Sequence, residues 1–450
     1  MTLHGPLAAT GDLEARAVAW IRGRLAGVGP GVSGDPTTLT RALAGSVTED
    51  GLGLDGAWRT FAEVAAPANV GLDSDRFLAF IPCSPSAAAV WMDAIVGAAN
   101  FSGEAWLEAA GAIAAEQEVL SLLARTAGLP EGAGGCFMSG GSIGNLSALA
   151  VAREQAGGKR AVVVADSAHA SVHNALHLLG MNAVVVATGP DCRLTGDAVR
   201  ESMAGRDDIA AVVASAGSTN AGVIDDLAGC ATAAHAAGAW FHVDGAYGLA
   251  ALLLPELHER FDGIERADSF IVDPHKWLFA PIGSCALVYR EPALASAVHT
   301  QHGPYIESIR TGEDLHNPSD LGYQLTRRAS GLPIWFALAL HGLEAHREAI
   351  RAGIRQARRM AEALVECPHA ELVVPPELGV VLFRRSGWGS GDWQRWAAEV
   401  LRAGIAFVAP TTHRGEPVGR LVFMHPLTPD AIVDELIGSL DGGGVHIVPS

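Results

Sequence analysis

Between residues 239 and 277 the chain reads AWFHVDGAYGLAALLLPELHERFDGIERADSFIVDPHKW. Two short apolar runs, 239–243 and 269–272, each end on an aspartate, Asp244 and Asp273. A run of four to eight apolar residues closed by turn residues marks a strand buried on both faces, as in a parallel sheet. The same pattern recurs upstream. GGCFM (134–138), AVVVAD (161–166), NAVVVA (182–187) and IAAVVASAG (209–217) alternate with the helical stretches NLSALAVAREQ (145–155), HNALHLLG (173–180) and AGCATAAHAAG (228–238). Strands alternating with helices at this spacing predict an α/β domain with a mostly parallel central sheet and helices on both faces.

Farther out the pattern changes. Residues 13–28 carry apolar side chains at helical spacing before a Gly/Pro/Thr stretch at 29–38. Beyond Pro333 a long arginine-rich amphipathic helix precedes ELVVPPELGVVLFRR (371–385), a helix near 392–403, and the strand-like runs IAFVAP (405–410) and RLVFMHP (420–426). The expected organisation is a helical N-terminal segment (1–72), a large α/β domain (73–332) and a small α+β domain (333–450).

The chain has 450 residues, enough for two or three domains and a sizeable core. Its 31 basic and 49 acidic side chains leave a formal charge of −18, which disfavours nucleic acid and anionic membranes as partners and favours a small molecule. Six scattered cysteines form no C-x-x-C pair and no zinc-ligand cluster with histidine, as expected of reduced thiols. The first residues lack a basic, apolar leader pattern, and no apolar run is long enough to span a membrane, so a cytoplasmic protein is expected. Only two of the basic residues are lysines, Lys159 in a polar turn and Lys276 in an apolar setting. A lysine retained there in a chain that otherwise uses arginine asks for a chemical reason.

Five elements supply one. The stretch GGCFMSGGSIGNLSAL (134–149) reads as strand, glycine-rich turn and helix, whose N–H groups, with the Ser139 and Ser142 hydroxyls, can hold a phosphate. Asp244 stands at a strand end, where ligands of open α/β sheets bind. Lys276 beside His275 offers an amine that desolvation would make free to condense with a carbonyl. His169 and the run ASAGSTN (214–220) close two further strands. Each has a plainer reading alone: a tight turn, a capping aspartate, a snorkelling lysine or a hydrogen-bonded histidine. Together they are what pyridoxal 5′-phosphate needs: a phosphate cradle, a carboxylate for the pyridine nitrogen, an imidazole for the ring and a lysine for the Schiff base.

In order and spelling, SGGSIGN, DSAHASV, AGSTNAG, HVDGAYG and DPHKW resemble the group II pyridoxal-phosphate-dependent amino-acid decarboxylases, which include aromatic L-amino-acid, glutamate and diaminobutyrate decarboxylases. The resemblance implies a fold-type-I homodimer of the aspartate-aminotransferase kind, with the N-terminal segment swapped between subunits and active sites at the interface. It makes Lys276 the Schiff-base lysine, Asp244 the partner of the pyridine nitrogen, His169 the stacked imidazole and Ala246 the contact on the opposite face. Gly141 and Ser142 match the phosphate loop, Thr219 a threonine near the cofactor, and Asp273 and His275 the residues flanking the lysine. Tyr305 falls where the family has a loop tyrosine that protonates the substrate carbon across the dimer, and Arg327 matches a structurally important arginine. Phe80, Ile81, Cys83 and Phe101 would line the substrate pocket, whose apolar character leans towards an aromatic or aliphatic L-amino acid. Asp73, Asp75 and Arg76 lie near that strand and keep a short cationic or an acidic side chain in view.

The expected reaction is decarboxylation of an L-amino acid to the amine and CO2. Two neighbours share the scaffold, a decarboxylating aldehyde synthase of amine-oxidase type and other fold-type-I lyases. Tyr305 argues against the first and Trp277 against the second. A non-catalytic binding protein would not need Lys276, Asp244 and His169 together.

Overall fold

The computed structural model describes residues 11–81, 84–304, 306 and 316–441. Its larger sheet has seven strands: β1 (Gly134–Met138), β2 (Ala161–Ala165), β3 (Asn182–Val186), β4 (Ile209–Ser215), β5 (Trp240–Asp244), β6 (Ser269–Val272) and β7 (Cys285–Tyr289), in the order β1-β7-β6-β5-β4-β2-β3. Strands β2 to β6 run parallel, as expected. The seventh strand was not among those read from the sequence, and it runs antiparallel to both neighbours, β1 and β6. Residues 273–284, which connect it to β6, hold no helix. Parallel return needs a crossover, usually helical, so this short link brings the chain back antiparallel.

The valine run of β2 is explained by burial on two sides, whereas the run of β3, at the edge of the sheet, leaves Val185 exposed and so departs from the expected fully buried strand. Val162 and Val164 of β2 pack with Leu149 and Ala152 of the helix Gly141–Gln155 and Val172 and Leu176 of the helix Ala170–Leu179. Ala161, Val163 and Ala165 face the other way, towards Cys230 and Ala234 of the helix Leu227–Ala236 and Leu120 of the helix Trp106–Thr126. A strand that alternates between two apolar layers has no polar face to show in its sequence.

The second sheet is antiparallel, with β8 (Ala370–Val374), β9 (Val380–Arg385), β10 (Thr411–His413) and β11 (Glu416–Val422) in the order β10-β11-β9-β8. The helix Leu332–Glu366 joins the two sheets. Its Ile334, Ile350 and Ile354 enter the core of the large sheet, and Ala357, Met360 and Leu364 enter the small core with Phe383, Trp393 and Trp396. A break at Gly342, φ 76° and ψ 170°, interrupts it. The run IAFVAP does not form the expected strand. Phe407 makes a single parallel bridge to Phe77, with Leu78 N–H donating to its carbonyl (2.9 Å) and its own N–H to the Arg76 carbonyl (2.9 Å). Stacking of the Phe77 and Phe407 rings, centroids 4.8 Å apart, accounts for its apolar character instead.

The N-terminal helices Leu13–Leu25, Pro36–Leu43 and Gly53–Arg59 bury no residue. None of the described helices is long and apolar enough to cross a membrane. Cys136, Cys192, Cys230, Cys285 and Cys367 are free and buried.

Candidate active site

The carboxyl ends of β2, β4, β5 and β6 and the turn after β1 converge on a cavity of about 660 Å³. This is where an open α/β sheet presents backbone groups and loop side chains to a ligand. The helix that follows β1 begins at Gly141, and Gly141, Ser142 and Ser139 border the cavity at its positive end. A Cβ on Gly141 would lie 2.9 Å from Asp273 Oδ2, so only glycine lets this helix start so close to the carboxylate. Ser139 N–H donates to Gln324 Oε1 at 2.9 Å, which ties the turn to the segment after residue 316.

Lys276 lies in the turn after β6, its N–H on the Asp273 carbonyl at 2.9 Å and its Nζ 3.0 Å from Asp273 Oδ2. The expectation that desolvation frees this amine is corrected here. Burial does push Lys276 down, but the carboxylates of Asp273 and Asp244, with the Asp273 hydrogen bond, outweigh it and hold the ammonium form above its ordinary range. His275 donates from Nδ1 to the Ser284 carbonyl at 2.5 Å, which turns Nε2 towards Asp273, 3.8 Å away.

Asp244 ends β5, buried, and caps no helix, since the following 3-10 turn starts at Gly248 without a side-chain cap. Its Oδ1 accepts the Ala246 N–H at 3.2 Å and its Oδ2 the Asn145 side-chain amide at 3.0 Å. His169 is the N-cap of the helix Ala170–Leu179, accepting the Ser171 N–H at Nδ1, and its ring borders the cavity. Thr219 and Ala246 complete this part of the wall.

Among the pocket residues expected from the sequence, Phe80 and Ile81 border the cavity, whereas Phe101 lines a different hollow with Leu332 and Trp335. Cys83 and Tyr305 lie outside the described residues. Asp73 and Asp75 border a third hollow, where Asp73 pairs with Arg24, and Arg76 is engaged by Glu435 at 2.7 Å. Arg327 is buried in a pair with Glu116 at 2.7 Å.

Two wall residues escaped the sequence reading. Arg420, buried, donates to the carbonyls of Phe80 (2.8 Å), Thr219 (2.6 Å) and Asn220 (3.2 Å) and has no carboxylate at ion-pair distance among the described residues. Burial draws it down to about 10, still cationic at neutral pH. One of these bonds pins Phe80, whose φ of 55° is a conformation that side chains other than glycine's rarely adopt. The other is Asn145, one helical turn inside the phosphate-loop helix. A lone charge in the apolar run RLVFMHP and a lone amide in an apolar helix face were the available signals.

Pyridoxal phosphate fits these residues. Asp273 Oδ1 is buried with no hydrogen-bond partner, and nothing lies within 4 Å of where a Cβ of Gly140 would stand, which leaves open space at the helix start. Helix N–H groups and serines suit a phosphate, an amine suits an aldehyde, and a buried carboxylate suits a pyridinium.

Comparison with known proteins agrees. The family model described as "Pyridoxal-dependent decarboxylase conserved domain" matches residues 61–386. An aromatic-L-amino-acid decarboxylase of Bacillus atrophaeus is 32% identical over 378 residues, covering 79% of this chain and 78% of that one. An L-2,4-diaminobutyrate decarboxylase of Rhizobium meliloti is 32% identical over 372 residues, covering 79% and 75%. The crystal structure of Oryza sativa TDC with PLP and tryptamine superposes with a TM-score of 0.88 at 26% identity, covering 98% of each chain. With the fold, the cavity and these matches in agreement, the chain belongs to the pyridoxal-dependent decarboxylase family and is a pyridoxal-phosphate-dependent amino-acid carboxy-lyase.

Proposed function

We propose that the protein decarboxylates an aromatic or aliphatic L-amino acid to the corresponding amine, with Lys276, Asp244 and His169 as its central residues. The observation that carries this reading is the composition of one cavity wall: these three side chains border it together with Phe80, Ile81 and Ile282, while Asp73 and Arg76 are ion-paired elsewhere and Asp75 borders another hollow. Beyond the charged groups given roles below, an amine or second carboxylate on the substrate side chain would find no counter-ion in this lining among the described residues, and Arg420 suits the α-carboxylate common to every amino acid.

Bound in the cavity, pyridoxal phosphate supplies an electrophilic carbon and a ring that takes up the electron pair released as CO2 departs. Lys276 Nζ provides the amine that would hold it, once it has lost the proton that Asp273 Oδ2, 3.0 Å away, helps it keep. Asp244 keeps a proton on the pyridine nitrogen, which is what makes the ring an effective electron acceptor. Gly141 and Ser142 take the phosphate, with Thr219 and His275 nearby. His169 and Ala246, which border the same cavity, would contact the ring. The cationic Arg420 attracts the incoming carboxylate. Tyr305 delivers the proton to the substrate carbon.

The same reading includes a homodimer. Its support is that the N-terminal helices bury nothing within one chain while exposing Trp20 and Phe61, and that Phe101 stands away from its own cavity. The segment 1–72 of one copy would pack on the other, and Phe101 and Tyr305 would reach the partner's cavity.

The test is incubation of cofactor-loaded protein in air with a pool of L-amino acids, products being followed by mass spectrometry beside Lys276→Ala. One new amine from an aromatic or aliphatic acid, absent from the control, is the expected result. Diaminobutyrate or glutamate as the preferred substrate would overturn the substrate class, and an aldehyde with peroxide would replace amine formation by oxidation.

A further inference from the structure

Behind Asp244 lies a row of buried polar side chains that the reaction as described leaves unused. Trp240, Ser269, His242, Asn145 and Ser171 are all buried, a costly place for polar groups unless each finds a partner. Each does. Trp240 Nε1 is 2.8 Å from Ser269 Oγ, which is 2.8 Å from His242 Nδ1. His242 Nε2 is 2.9 Å from Asn145 Oδ1, and Asn145 Nδ2 is 3.0 Å from both Asp244 Oδ2 and Ser171 Oγ. Ser171 Oγ in turn lies 2.7 Å from His169 Nδ1.

Both ends dictate the same direction for this chain. An indole N–H only donates, so Ser269 accepts from Trp240 and gives its own proton to His242 Nδ1. His242 then carries its proton on Nε2 and donates to the Asn145 carbonyl oxygen. A carboxylate only accepts, so Asn145 must present N–H to Asp244, which again leaves its oxygen for His242. The two hydrogens of the amide meet two acceptors, Asp244 and Ser171. Ser171, having accepted, donates to His169 Nδ1 and leaves the proton of a neutral His169 on Nε2.

We infer that Asn145 is a positioning residue: its one amide, held in sense by His242, Ser269 and Trp240, steadies the Asp244 carboxylate for the pyridine nitrogen and, through Ser171, sets the tautomer of His169. The inference rests on the reading of Asp244 as the pyridine partner. The bond fixes where the Asp244 carboxylate stands, and a negative charge held beside the ring nitrogen favours a proton there.

The experiment loads the full-length protein with pyridoxal phosphate labelled with 15N in the ring and reads the ring-nitrogen chemical shift, alongside the pH at which the visible absorption of the bound cofactor changes. The native chain is expected to show the protonated position. Asn145→Leu, of similar size, should move the signal towards the unprotonated position and lower kcat by about 10–100-fold. His242→Phe should move it part of the way, and His242→Gln, which restores a donor near the Nε2 position, should bring it back. A native signal in Asn145→Leu while Asp244→Asn shifts it would overturn the role of Asn145 and keep that of Asp244. A native signal in Asp244→Asn as well would remove the pyridine partnership itself. Should Asn145→Leu fail to fold, the His242 pair decides: an unshifted signal in His242→Phe overturns the inference.

Discussion

An amine attacks a carbonyl carbon through its free electron pair, so the proton on Lys276 must leave before the cofactor can be captured. Asp273, 3.0 Å from Nζ, holds that proton against the pull of burial. Asp273→Asn keeps the shape and removes the charge, which lets the amine lose its proton at lower pH. Mixed with pyridoxal phosphate at about pH 7, this variant should develop its visible absorption several-fold faster than the native chain in stopped flow. Equal rates would take Asp273 out of the capture step. His242 makes a prediction about stability. Burial lowers it to about 4, against about 6.5 in an unfolded chain. The unfolded chain therefore binds a proton that the folded one refuses, so the stability owed to the neutral ring is whole above about pH 6.5 and is lost as the pH falls through about 4. The loss is on the order of 3 kcal/mol. Asp225 acts in the opposite sense: burial raises it to about 7 despite the N–H groups of Leu194 and Ser215, so its share is whole below about pH 4 and lost as the pH rises through about 7. The histidine is read by difference. Between about pH 6.5 and 4 the native chain should lose resistance to urea more steeply than His242→Gln, and parallel curves would deny His242 this role.

The helix Gly141–Gln155 can aim its start at the cavity because two glycines let it close on the sheet. A Cβ on Gly144 would stand 2.9 Å from Cys285 Sγ on β7 and 2.9 Å from Ile271 Cγ2 on β6. Gly144→Ala must push the helix outward, costing about 1–3 kcal/mol as overpacking does. A lower melting temperature is expected, with a Kd for pyridoxal phosphate raised about tenfold because the Gly141 and Ser142 N–H groups move with the helix. A lowered melting temperature with unchanged Kd would separate this packing from cofactor binding. Elements of this kind were legible in the sequence, since a glycine-rich turn between strand and helix, or an aspartate closing an apolar run, is written in adjacent residues. What was not legible spans the chain. Arg420 meets Thr219 and Phe80 across 201 and 340 residues, and Asn145 meets His242 and Asp244 across 97 and 99. No local period records such pairs. β7 was missed because its antiparallel insertion between β1 and β6 depends on the lack of a crossover helix, and IAFVAP was misread because stacking of Phe407 on Phe77 draws on the same apolar residues as a strand.

At the scale of the molecule, the unfinished surface is the N-terminal segment. Trp20, Trp58 and Phe61 form a ring cluster, centroids 5.3 Å apart for Trp20 and Phe61 and 5.6 Å for Trp58 and Phe61, yet no helix around it buries a residue. An aromatic cluster left half-exposed is a typical anchor of a symmetric interface. If a second copy covers it and Tyr305 serves the partner's cavity, the two halves of one active site belong to different chains. Subunit mixing can separate this arrangement from a site closed within one chain. Lys276→Ala has no amine to hold the cofactor but an intact tyrosine, and Tyr305→Phe has the amine but no acid. Each alone should be nearly inactive, the tyrosine variant by about 100-fold or more. Equal amounts unfolded and refolded together give about half mixed dimers, each with one cavity that combines Lys276 of one chain with Tyr305 of the other, so about a quarter of the native activity should return. If both groups act within a single chain, every cavity in the mixture still lacks one of them and no activity returns.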